Sequence, residues 1–145
     1  MKQYLFFFLI FFTLKGFAQS IFKEKWDNCR TEHFVFENDS ISLEAKEDIH
    51  KKITKLQKTQ SSVIKGELLI QVLVAEDGTG CILSFDDQTN LKVGTKVAEL
   101  IKEMKWAKTK VKTSVILGFI FNIGVVEVKR YGLDAKRGLH QIYNE

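Results

Sequence analysis

The sequence predicts an α+β domain: an antiparallel or mixed sheet of three strands, or four, with two helices packed on one face. Three observations predict it. Two runs, Glu67–Ala75 and Thr113–Ile123, place apolar residues at every second position, the period of a strand with one buried face. Asp77-Gly78 follows the first run and signals a hairpin, since a type I′ turn needs positive φ at both central residues. Between hairpin and last run, Val93, Val97, Leu100, Ile101 and Met104 recur at helical spacing, the stripe of an amphipathic helix.

In chain order, Lys2 and the apolar run Tyr4–Leu14, followed by Gly16-Phe17-Ala18, have the form of a signal peptide cleaved before Gln19. The run is short for a membrane span, which needs about 20 residues. Residues 1–18 are therefore expected to be removed, leaving no stable membrane anchor and a protein in the periplasm of a Gram-negative cell or secreted. Their loss takes away Lys2 and Lys15 and no acid, so the net charge falls from +4 to +2. So balanced a chain does not point to nucleic acid.

Residues 19–41 read as an N-terminal extension. Trp26, Phe34, Val35 and Phe36 could pack, and His33–Glu37 has the composition of a short strand. Cys29 and Cys81 are the only cysteines. In an exported protein they permit one disulfide; the competing reading is buried free thiols acting as small hydrophobes. Ser42 is placed to cap a helix over Leu43–Gln57, whose buried stripe would be Ala45, Ile49, Ile53 and Leu56. Its acids come early and its lysines late, as the helix dipole favours. Lys51, Lys52, Lys55 and Lys58 thus read as a solvated helix end.

A two-residue turn at Asp77-Gly78 would set Glu76 opposite Thr79, Val74 opposite Cys81, Val72 opposite Leu83 and Ile70 opposite Phe85. The expected sheet order is second, first, third strand, with a helical crossover before the third. Leu69, Leu73, Ile82, Ile116 and Ile120 then fall on the face away from the helices. Either a partner binds that apolar face or the N-terminal extension covers it. Cover within the chain is favoured, because large exposed patches are rare. After Gly124, Val125–Tyr131 either prolongs the third strand or folds back onto its edge. The absence of an Asn-Gly turn favours prolongation. Gly132–Glu145 reads as a loosely held tail that Leu139, Ile142 and Tyr143 could dock.

Taken together, Gly66, Asp77-Gly78-Thr79-Gly80, the run Val97–Trp106 and the strand Val115–Phe121 resemble the C-terminal domain of TonB proteins over residues 42–124, with 125–145 beyond the match. The chain departs from that family in having Ala107-Lys108 where Pro usually follows the Trp, and no Pro at all. The resemblance implies an envelope protein whose last strand offers an open edge to an extended segment of an outer-membrane receptor, by β-augmentation. The expected partner-binding residues are Thr113, Ser114, Val115, Ile116, Leu117, Gly118, Phe119, Ile120 and Phe121. A homodimer through the same edge is the other expected use.

The sequence offers little for catalysis. His33, His50 and His140 are isolated, and Gly78-x-Gly80 lacks the rest of a dinucleotide loop. Asp86-Asp87 lacks the alternating ligands of a calcium loop, and no nucleophile motif is present. The expectation is a non-enzymatic module without cofactor or metal. The alternative is a stand-alone exported domain that binds or processes a small molecule.

Overall fold

A computed structural model describes residues 20–39 and 43–142. The expected signal peptide, the new terminus at Gln19, the cap at Ser42 and the docking of Tyr143 all lie outside those residues. The elements are β1 (Glu24–Lys25), β2 (Val35–Phe36), α1 (Ile49–Thr59), β3 (Gly66–Val74), β4 (Gly80–Asp87), α2 (Gly94–Lys102), β5 (Thr113–Asn122), β6 (Val125–Asp134) and β7 (Gly138–Ile142).

The three- or four-stranded sheet is corrected to a seven-stranded one, ordered β1-β4-β3-β5-β6-β7, with β2 also on β5. Every pairing is antiparallel except β2 with β5. The extra strands come from the two regions read as extension and tail. β1 and β2 are two residues each, too short for any alternation to show. The β6–β7 hairpin closes through a turn in which the Asp134 carboxylate accepts from the amides of Lys136 and Arg137, a local pattern that Asp favours.

Prolongation of the third strand is also corrected. Asn122 pairs with Val125 across the two-residue turn Ile123-Gly124. Only Gly124 has positive φ there, at 73°, so the turn needs glycine at its second central position alone, as type II turns do. The Asn-Gly criterion belongs to type I′ turns and missed it. Ile123, expected in the core, sits at this tip, 73% exposed.

The Asp77-Gly78 hairpin is wider than expected. The Ala75 amide donates to Thr79 O and the Gly78 amide to Ala75 O, so the loop is Glu76-Asp77-Gly78, with positive φ at Gly78 alone. Asp77 closes it by accepting from the Thr79 amide and hydroxyl. The Trp106 backbone crosses so near Gly78 that a Cβ there would clash with it. The longer loop moves the register: Val74 faces Gly80, Leu73 faces Cys81 and Val72 faces Ile82. A bulge opposite Gln71/Val72 then restores Ile70 opposite Phe85. Ile82 is thereby turned into the core, and Cys81 lies across from Leu73 instead of Val74.

α1 begins at Ile49, later than expected, with Asp48 as its cap accepting from the Lys51 amide. Before it, Ala45 is bridged to Trp106. One core joins Ile53 of α1 and Val97, Ala98 and Ile101 of α2 to Leu68, Ile70, Val72, Leu117 and Phe119 of the sheet. Leu100 is only partly buried at the margin of this core. The α2 N-terminus is held from β4: Asp87 accepts from the Gly94 amide, and from the Thr89 amide and hydroxyl. At the core's rim Glu37 is fully buried against Arg130. Arg130 also donates to Leu43 O at 2.6 Å, while the Leu43 amide donates to Glu37.

Candidate functional site

The segment expected to bind a partner has no free edge. All of Thr113–Phe121 pairs with β3 on one side. On the other side β6 pairs with Ile116–Asn122 and β2 with Thr113 and Ser114. β5 is therefore an interior strand, and neither a receptor segment nor a second copy can add to it. Val115, Leu117, Phe119 and Phe121 are instead buried in the main core.

The sheet ends in two unlike strands. On one side β4 is partly covered: β1 pairs with Ser84 and Phe85, and the amides of Trp26 and Asp27 donate to Leu83 O and Ile82 O. On the other side β7 pairs only with β6 among the described residues. The register fixes which of its groups are free. In a two-residue hairpin the closing residues, Asn122 and Val125, bond to each other, and antiparallel strands alternate between bonded and non-bonded pairs. Every second residue of β6 from Val125 therefore turns its amide and carbonyl toward β5. Leu133 fits this alternation, its amide donating to Glu37 O beside β2. Arg130, Gly132 and Asp134 turn the other way, to Ile142, His140 and Gly138. Leu139 and Gln141 consequently point their backbone groups outward. Leu139 is also 41% exposed, and no Lys, Arg, Asp, Glu or Pro lies in Gly138–Ile142 to guard the edge. Leu139 and Ile142, expected in a loosely held tail, belong to this strand. The overlooked signal was a turn-forming Asp134 and Gly138 between two short strand-like runs.

The face away from the helices carries a second feature. Gln71, Ser84 and Ser114 lie on three adjacent strands and are fully buried. Ser84 donates to Gln71 Oε1 at 2.9 Å, and Gln71 Nε2 to Ser114 Oγ at 3.1 Å. The N-terminal segment closes over them: the Ile21 amide donates to Gln71 Oε1 and the Phe22 amide to Ser84 Oγ. Cover from within the chain, expected from the apolar residues of this face, is thus present. Cys29 is bonded to Cys81, which fastens the same segment to β4.

Among the described residues no group of three His, Cys, Asp or Glu could hold a metal ion. The histidines serve the fold or the surface: His50 Nε2 lies 3.0 Å from Val126 O, His140 Nδ1 lies 2.9 Å from Gly138 O, and His33 is exposed. The clefts are open to solvent, and those beside the disulfide measure about 340 and 310 Å³. Burial raises the pKa of Glu37 in spite of Arg130, but its carboxylate is engaged by Arg130 and the Leu43 amide. No described helix is long and apolar enough to cross a membrane.

No family model, curated protein or solved structure matches the chain.

Proposed function

We propose that the protein is a non-enzymatic, exported interaction module that takes an extended segment of a partner protein onto the outer edge of β7. The observation that carries this reading is the pair of outward backbone groups at Leu139 and Gln141 on an uncharged strand edge. Backbone hydrogen bonds would supply affinity there, and the flanking side chains selectivity. The Cys29–Cys81 bond supports export, because disulfides persist in oxidising compartments. The resemblance to TonB C-terminal domains supports an envelope protein, such as an outer-membrane receptor, as partner. Relative to that family's mode of docking, the edge is moved from β5 to β7.

The test is Gln141→Pro. It removes an outward N–H and leaves the pairing with β6 intact, the one setting in which a strand accepts Pro. In the free wild-type protein the Leu139 and Gln141 amides exchange quickly with solvent, and a partner captured from envelope extract protects them. The Pro variant keeps its fold and loses that partner. A partner held equally by the variant, or bound without protecting those amides, overturns the edge-addition reading.

A further inference from the structure

Residues 20–30 form a strap that is separable from the domain beneath it. No buried member of the main core comes from the strap, and only Trp26 packs against that core from outside. Lys23, Glu24, Lys25, Asn28 and Arg30 are exposed. The strap's non-covalent ties are the two-residue pairing of β1 with Phe85 and Ser84, four further backbone amides, at Ile21, Phe22, Trp26 and Asp27, the Lys102–Asp27 ion pair, a Lys112 bond to Arg30 O and the Trp26–Phe85 ring contact. The one covalent tie is Cys29–Cys81, which joins residues 52 apart in sequence.

That bond lies near the surface of the fold. Both cysteines are only partly buried. Cys29 lines a cleft with Ser20, Lys25, Asp27 and Leu83, and also a second cleft that it shares with Cys81, Arg30 and Lys112. Two open clefts therefore border Cys29.

We propose that Cys29–Cys81 is a thiol–disulfide exchange site for a dithiol reductant, and that its reduction unfastens the strap while the sheet stays folded. A thiolate of the reductant attacks Cys29 Sγ and forms a mixed disulfide. The Cys29–Cys81 bond breaks, and Cys81 leaves as a thiolate that takes up a proton. The second thiol of the reductant attacks the mixed disulfide, closing the reductant's own disulfide and releasing Cys29 as a thiol. The electron pair comes from the dithiol, which is oxidised as the protein is reduced. Without the covalent tie, the short β1–β4 pairing, the four amides and the peripheral contacts hold the strap, a combination suited to local opening. Opening uncovers Gln71, Ser84 and Leu83 on the far face of the sheet. This site is independent of the β7 edge, and a failure of either leaves the other standing.

The experiment treats the oxidised protein with dithiothreitol under native conditions, alkylates the freed thiols and follows amide exchange residue by residue. Both cysteines become alkylated. Protection at Ile21, Phe22, Trp26 and Asp27 falls about tenfold or more, while amides of β3 and β5 change by less than about twofold. The Cys29→Ser/Cys81→Ser double variant reproduces the same pattern without reductant. Three results overturn the proposal: a bond that resists dithiothreitol until the protein unfolds, a strap still protected after reduction, or a sheet that loses protection together with the strap.

Discussion

The two faces of the sheet are held by different physics. The helix side is closed by volume: Phe119, Phe121, Ile70 and Leu117 pack with Ile53 and Ile101 in a continuous apolar core. The strap side has buried Leu73 and Ile116 but adds direction: Gln71, Ser84 and Ser114 bond to one another and to two strap amides, and a disulfide adds the covalent tie. An apolar core draws on every buried methylene and tolerates small shifts. A hydrogen-bonded seat needs few atoms, but it fails where a single partner is missing. Such a molecule can loosen on one face and keep its shape on the other.

Substitutions that cut into each face in turn separate the two. Phe119→Ala empties the centre of the helix side, where Phe119 is fully buried, and costs about 3–5 kcal/mol of unfolding free energy in denaturant titration. It should lower the protection of both faces together, because β5 serves both. Gln71→Ala acts on the strap side. It costs about 1–3 kcal/mol, the usual penalty for buried groups left unpaired, and its exchange signature is confined to Ile21, Phe22, Ser84 and Ser114. A Gln71 variant that destabilises as much as Phe119→Ala would erase the distinction between the faces.

The smallest effect is one of pH, at the charged pair on the core's rim. Burial holds the Glu37 carboxyl above its ordinary value of 4.5, and Arg130 only partly opposes it. The folded state therefore keeps the proton longer than the unfolded chain does. The contribution is fully present below about pH 4.5, the unfolded value, and is lost as pH rises through the folded one. Glu37→Gln removes the titration, so its stability relative to wild type should improve as pH rises through that range. An identical pH profile for the two proteins would show that Arg130 fully offsets the burial of Glu37.

Much of the central sheet was legible in the chain. Leu68, Ile70, Val72 and Val74 on one run and Val115, Leu117, Phe119 and Phe121 on another point to the same buried side, because a strand's period is written in its own residues. The order β4-β3-β5 also follows from a hairpin and one crossover. Cys29 and Cys81 stood out as the only pair that could bond, though the sequence left a free-thiol reading open.

Which backbone groups find partners is settled only when the chain is packed. The loop Glu76-Asp77-Gly78 is one residue longer than the turn its Asp-Gly suggests, which shifts Cys81 and Ile82 to opposite roles. The turn at Ile123-Gly124 folds β6 onto β5, and β2 fills the remainder of that edge from a segment almost eighty residues away. Side-chain periodicity is local and survives in the sequence. Edge occupancy depends on which turn the backbone adopts at Ile123-Gly124 and on the distant β2, and neither is written in the alternation of β5. The interior position of β5 and the outward amides of β7 were therefore set by the fold, while the composition of each strand was set by the sequence.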